Sequence, residues 1–413
     1  MEHGDSHGGA AEQLALGMPL HKALDTTSAA AWVALDAGAR ELDRSAWSPL
    51  RPEPPVRRRW LSPPPPLGRP SAPGRRIPLA LALCHPDGRV REAALDSVRD
   101  APELRPLLVL RCADWAGPVR ERARVVLAEV PGRELVPLAG LILRLARRAQ
   151  GGFARTLLES SLREGPPADV EALMADPDRT TRRLAHRIAV DRRLLNPMTL
   201  AAIAASEGDV TLQDLCADAA LAALRDGTVP AVVDRLVAAR SPRVRAAGVT
   251  ALRGAGRHRE AEAFLADRSP VVRACARYVL RQAGADPLPH YRTLCTEPAA
   301  HPGAAAGLGE CGTRADADTL RTLLAHPLPA VRVNAVTGLR ALDAVTLACV
   351  SPLLDDPAPA VVRAATLAAL PDAGRFEEHW LRERTAPERP RATRVAAERL
   401  LRARARRGGR PTG

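Results

Sequence analysis

Along most of this chain the apolar residues recur at helical rather than strand spacing. In the stretch 269–284, SPVVRACARYVLRQAG, Val272, Ala276, Val279 and Leu280 stand at i, i+4, i+7 and i+8, so they share one stripe of a 3.6-residue helix. Arg273, Arg277 and Arg281 are expected to face mostly away from that stripe. Ser269 can accept a hydrogen bond from a free amide of the first turn, and Pro270 suits the first helical position. Gly284 suits the left-handed residue that closes a helix.

Close copies of this stretch return at steps of 27 to 35 residues. Aligned on Arg273, their anchors are Arg91, Arg120, Arg155, Arg182, Ala217, Arg245, Arg273, His301, Arg332, Arg363 and Arg394. The third residue after the anchor is alanine in eight of the eleven copies, with Leu158, Gly248 and Thr366 as exceptions, and a small side chain there lets two helices approach closely. The seventh is leucine in nine, with Val98 and Ala189 in the others. Two independent columns therefore support one register. Between the anchored helices a first set is expected at 77–84, 102–112, 134–148, 167–175, 197–206, 229–239, 259–267, 288–296, 315–326, 343–355 and 375–384. Helix pairs repeating at this period predict a solenoid held by neighbour contacts, so the length implies one array rather than several globules.

The segments HPDGRVREAAL (85–95), SPRVRAAGVTAL (241–252), HPLPAVRVNAVTGL (326–339) and DDPAPAVVRAATLAAL (355–370) resemble the short bacterial HEAT repeats, the type also found in phycobilin-lyase-like proteins. The resemblance covers roughly residues 75–407. It implies an all-α fold, a right-handed alpha-alpha superhelix of about eleven helix pairs, and the proline density ahead of it adds the expectation of a Pro-rich N-terminal linker. It also implies that the recurrent arginines Arg91, Arg120, Arg155, Arg182, Arg245, Arg273, Arg332, Arg363 and Arg394 form a structural ladder tying neighbouring repeats. Ala217 and His301 depart from it. The domains expected are a leader with an amphipathic helix (1–43), a Pro/Arg-rich linker (44–76), the solenoid (77–407) and a tail (408–413).

Composition sharpens this picture. Hydrophobic residues make up 46% of the chain and aromatic ones only 2%, so the core must be built from Ala, Leu and Val. No apolar run is long enough to span a membrane, and MEHGDSHGGA lacks the parts of a secretion signal, which points to a cytoplasmic protein without a membrane partner. The seven cysteines show no C-x-x-C spacing and are expected to be buried thiols.

The net charge of +13 is unevenly spread: residues 1–39 carry −4, residues 40–76 carry +6, residues 382–413 carry +8, and the array between is nearly balanced. Residues 28–42 read as one amphipathic helix with Trp32 and Leu35 on a face, docking on the first repeat. Eleven prolines in 49–78, four of them at Pro63 to Pro66 behind Arg57-Arg58-Arg59-Trp60, favour an extended spacer. Met1-Glu2-His3 has the order of an amino-terminal copper or nickel site but reads as a flexible leader.

The search for chemistry returns mainly absences. Lys22 is the only lysine, so neither a Gly-Lys phosphate loop nor a second Schiff-base lysine exists, and no H-E-x-x-H, G-x-S-x-G or calcium-loop pattern occurs. His85, His301 and His326 each precede a proline, which suits a turn. Asp114 and Trp115 could be compared with the acid and aromatic of HEAT-like DNA glycosylases, yet the ten aromatics are dispersed and Trp115 reads as a staple between repeats. No catalytic residue, metal ligand or cofactor is expected.

Second helices usually line the inner face of such an array. The candidate binding ridge, four and five residues past the anchors, contains Asp96, Arg124, Glu159, His186, Arg187, Arg277 and Tyr278, with apolar Leu221, Val249, Val336 and Leu367 between them. A mixed ridge suits a protein or peptide, whereas a phosphate backbone wants a continuous basic track. At the C-terminus Val395, Ala397 and Leu401 keep the repeat stripe while Arg399, Arg402, Arg404, Arg406 and Arg407 form a basic tail. The leading expectation is a non-enzymatic scaffold or adaptor for a protein or peptide. The alternatives are nucleic-acid association through the Arg-rich ends and, by family analogy alone, a lyase or DNA-repair enzyme.

Overall fold

A computed structural model of the chain describes residues 9–42, 50–51, 75–223 and 230–408. Among them the structure is helical except for loops and two two-residue strands, β1 (Leu50–Arg51) and β2 (Arg75–Arg76), which pair in parallel with Leu50 opposite Arg75. Met1-Glu2-His3, the linker 44–76 apart from these strands, and the tail beyond Gly408 lie outside the described residues. The chain divides into two compact units, 1–194 and 195–413.

In the first unit, α1 (Gly9–Ala15), α2 (Leu20–Ala23) and α3 (Ala29–Glu41) precede the repeats. The Ser28 hydroxyl accepts from the Ala31 amide and starts α3. Trp32 and Leu35 are buried, and Trp32 Nε1 donates to the Thr26 carbonyl at 2.9 Å. Helix α3 packs on α4 (Leu79–Cys84) and α6 (Arg105–Arg111), the first helices of the first two repeats, as expected of an end-covering element. The second helices here are α5 (Gly88–Ala94), α7 (Gly117–Ala128), α9 (Gly152–Glu164) and α11 (Arg179–Asp191), with α8 (Ala139–Leu145) and α10 (Pro167–Met174) between them.

The second unit pairs α12 (Pro197–Ser206) with α13 (Val210–Ala223), and α14 (Pro230–Val237) with α15 (Pro242–Gly254). The next second helix, α16 (Pro270–Gln282), is partnered by residues 258–264. Those residues form a 3-10 rather than the expected α-helix, because seven residues of sequence cannot separate a period of 3.0 from 3.6. There follow α17 (Pro287–Leu294) with α18 (Ala304–Cys311), α19 (Ala317–Leu323) with α20 (Pro329–Ala341), α21 (Leu347–Val350) with α22 (Pro359–Ala369), and α23 (Glu378–Glu383) with α24 (Arg391–Gly408). Each first helix packs on its own second helix, and successive second helices pack on one another from α13 to α15 to α16 and from α18 to α20 to α22 to α24. In each unit, pairs stacked on their sequence neighbours make a HEAT-like repeat architecture.

The small-residue column is the seam. All eleven residues three past the anchors are buried, including Leu158, Gly248 and Thr366. The backbones come close between α18 and α20, where a Cβ on Gly309 would lie 2.3 Å from the Gly338 Cα and one on Gly338 would lie 2.4 Å from the Ala305 carbonyl oxygen. Only glycine at both points lets the two backbones touch.

Three local expectations are corrected. Ser269 precedes α16 without a side-chain cap bond, since Asp267 Oδ1 takes the Ser269 amide at 2.8 Å and fixes the loop instead. Arg273 and Arg277 are buried rather than turned outward, because each finds a carboxylate inside. In α24 the buried stripe is Thr393, Ala396, Ala397 and Leu400, which leaves Val395 51% exposed. Gly284 closes α16 at φ +81°, as its position required.

Candidate functional site: a groove over the second helices

The recurrent arginine is a clamp. Arg332 lies almost buried at the start of α20. Its Nη1 donates to the carbonyls of His326 and Pro327, both at 2.8 Å, while Nε and Nη2 grip Asp356 of the next repeat, both at 2.8 Å. Arg245 does the same with Ala239, Arg240 and Asp267, and Arg91 with His85, Pro86 and Asp114. The planar guanidinium supplies a fork for the carboxylate and a spare donor pair for the loop, a combination lysine cannot offer. A carboxylate 22 to 24 residues downstream completes each clamp.

Elsewhere the ladder is modified. Arg273 has no aspartate at that distance, and Glu310 of α18 takes both Arg273 and Arg277; Arg277 also donates to the Tyr291 hydroxyl at 3.2 Å. Arg120 and Arg182 keep the loop half of the clamp, at 2.9 Å to the carbonyls of Asp114 and Asp176. Arg155 is exposed and pairs with Glu159 of its own helix at 2.6 Å. Arg363 is exposed without an ion pair among the described residues, and the Nε of Arg394 is buried without an acceptor.

Electrostatics follow from these clamps. Burial alone would raise the Asp267 carboxyl, but hydrogen bonds from Arg245 and the Ser269 amide outweigh it and hold it below the usual range. Asp114 is depressed in the same way, with Arg91, the Ala116 amide and Arg111 overcoming burial. Asp114 belongs to a buried chain of charges: Arg91 and Arg111 both hold it, and Arg111 reaches on to Asp36 of α3. Its oxygens are thus occupied. Trp115 is 72% exposed and lies over the Arg91 guanidinium at 5.4 Å, so acid and aromatic do not converge on an open groove.

The ridge expected four and five residues past the anchors splits. The +4 side turns inward: His186 is buried with Nδ1 2.9 Å from the Arg182 carbonyl, and Val249, Val336 and Arg277 are buried too. The +5 side faces out at Asp96, Arg187, Tyr278 and Arg399. Packing against two neighbours, the paired first helix and the adjacent second helix, needs a broader apolar face than one stripe, and this takes in +4. Asp96 is engaged by Arg99 and Arg122, Glu159 by Arg155 and Arg163, and Arg124 spans the Cys112 and Gln150 carbonyls. In the basic tail, Arg402 approaches Glu398 at 3.9 Å and Arg404 donates to the carbonyls of Gly374 and Phe376. Arg406 is exposed, and the Arg407 side chain lies outside the described residues.

Of the expected ridge, Tyr278 and the apolar Leu221 open onto a groove. The hollow, about 830 Å³, lies across α13, α15 and α16. Its floor is small: Ala246, Ala247, Ala251, Gly254 and Cys275. Arg253 Nη1 donates to the Tyr278 hydroxyl at 3.0 Å at its edge, and the Asp218 carboxylate also lines it. A smaller hollow of about 470 Å³ continues over Ala217 to the Arg243–Asp214 pair and to Val271, which is 45% exposed. Sequence reasoning missed Asp218, Arg253 and Arg243, which sit one, eight and two positions from the anchors rather than four or five. The available signal was the run of small residues at the outward positions of α15. The groove can take a side chain against an apolar floor and offers charge of both signs at its rim.

Among the described residues no group of three or more His, Cys, Asp and Glu could hold a metal ion, and no helix is long and apolar enough to cross a membrane. No protein-family model matches the sequence, and no curated protein does. Among solved structures, an engineered protein aligns over 79% of this chain and 98% of its own at 14% identity and a TM-score of 0.23. Importin beta, crystallised in an ammonium sulfate condition, aligns over 79% of this chain and 57% of its own at 12% identity and a TM-score of 0.24. Both superpositions are loose, and the repeat architecture rests on the helix pairs and the arginine clamps.

Proposed function

We propose that this protein is a non-enzymatic scaffold that holds a peptide or an extended protein segment in the groove over α13, α15 and α16. The observation that carries the reading is the groove itself: a floor of alanine and glycine wide enough for side chains, walled by the Arg253–Tyr278 pair and the Asp218 carboxylate. An exposed tyrosine beside an arginine is the kind of anchor on which interfaces concentrate their binding energy. The repeats that present it are, on the four segments quoted above, of the short bacterial HEAT type.

The test is retention of a partner by the immobilised full chain after nuclease treatment. Ala247→Trp, which fills the groove from a half-buried position, should abolish retention while leaving the melting curve intact. Recovery of nucleic acid alone, or a partner indifferent to Ala247→Trp, contradicts the proposal.

A further inference from the structure

A separate pocket, of about 390 Å³, lies between α22 and α24. Its floor is Val362, Thr366 and Ala396, all buried, and exposed Val395 forms part of its wall. Three arginines line it, Arg363, Arg391 and Arg399, and no acidic residue does. Among the described residues none of the three has a carboxylate, carbonyl or aromatic partner, in a chain where most of the ladder arginines are held. Arg391 opens α24, and the first turn of that helix contains no acidic residue. The helix dipole disfavours a cation there, so a negative group entering the pocket would relieve Arg391 and satisfy its neighbours together.

We infer that this pocket docks an acidic peptide, with an aliphatic side chain on the floor and flanking carboxylates on Arg363, Arg391 and Arg399. The apolar floor favours a peptide over a nucleic acid. So does the interruption of the basic surface further along α24, where Arg402 is drawn to Glu398 and Arg404 is spent on the backbone of Gly374 and Phe376, leaving no continuous track for phosphates among the described residues. The inference stands on residues separate from the α13–α15–α16 groove and survives if that groove proves empty.

The experiment is fluorescence anisotropy with the full chain and a labelled hexapeptide of two central leucines flanked by glutamates. A matched peptide with glutamines, and a twelve-nucleotide single-stranded DNA as competitor, complete the set. The glutamate peptide should bind at least tenfold more tightly than the glutamine one and should lose at least tenfold in the triple variant Arg363→Gln, Arg391→Gln, Arg399→Gln. The control triple Arg314→Gln, Arg321→Gln, Arg375→Gln removes the same charge elsewhere and should bind like the parent. Equal loss in both triples, equal binding of both peptides, or displacement by the DNA at lower concentration than by unlabelled glutamate peptide overturns the inference. All six arginines have exposed side chains, and matched circular dichroism melts of the two triples confirm that binding and not folding is being read.

Discussion

Asp356→Asn tests the clamp at its clearest instance. The substitution keeps shape and volume but exchanges one acceptor oxygen for an amide that presents hydrogens to the guanidinium of Arg332. In the parent, two bonds of 2.8 Å join the groups, and the side chains are 10% and 7% exposed, so little water is available to replace what is lost. A hydrogen bond to a charged group is worth about 1.5–3 kcal/mol net, and removing one partner of a buried pair costs about 3–5 kcal/mol. Arg332 retains its two carbonyl bonds, which places the expected loss near the lower limit, about 3 kcal/mol. The assay is urea unfolding of the full chain followed by circular dichroism, with Asp343→Asn as the companion. Asp343 pairs with Arg314 at 3.3 Å where both side chains are open to solvent, and it holds φ +51°, a conformation asparagine also tolerates. Its variant should leave the midpoint unchanged. If Asp356→Asn costs less than about 1 kcal/mol, the buried clamp contributes no more than a surface pair and the reasoning fails.

Other consequences are independent of that one. Gly338→Ala forces a Cβ to within 2.4 Å of the Ala305 carbonyl oxygen, so α18 and α20 must separate and stability should fall by about 1–3 kcal/mol in the same assay; an unchanged midpoint would mean the helices are not in contact. Asp114, Asp267 and Asp316 are held below the ordinary carboxylate range, so their contribution is complete above about pH 4 and drains away as pH falls through their folded values. The urea midpoint should therefore hold from pH 6 to about pH 4 and drop as pH is lowered from there towards 2, and a midpoint that rises in that range would reverse the sign. Burial pushes the thiols of Cys84 and Cys112 up to about 12 and those of Cys216 and Cys295 up to about 11, so at pH 8 they should be inert to a disulfide reagent until denaturant is added. Fast reaction of all seven cysteines in the native protein would contradict the packing.

The helices were legible because Ala and Leu columns of the kind seen at Ala276 and Leu280 report backbone contact directly: a position that must be small in most copies is one where two helices meet. Ladder membership was only partly legible. The arginine is visible in nine of the eleven copies, but its acceptor is not, since Asp267, Asp356 and Asp114 arise in loops whose length varies, and Glu310 reaches its arginines from the far end of a helix. Arg155 has an anchor's position and none of its bonds across repeats. The groove was least legible. Its defining feature is missing volume at Ala246, Ala247 and Gly254, and a pattern search that looks for polar side chains passes over such positions. Tyr278 is legible because +5 faces outward in its copy, and His186 is not because +4 turns inward in its own.

The role of the groove can be tested most directly at Cys275, a half-buried thiol on its floor, by maleimide labelling of the full chain with and without the protein retained in the nuclease-treated pull-down. Occupancy should slow labelling of Cys275 at least fivefold while Cys349, outside the groove, reacts at its original rate. Equal slowing of both thiols, or none at Cys275 with the partner bound, would place the partner elsewhere and contradict the scaffold reading.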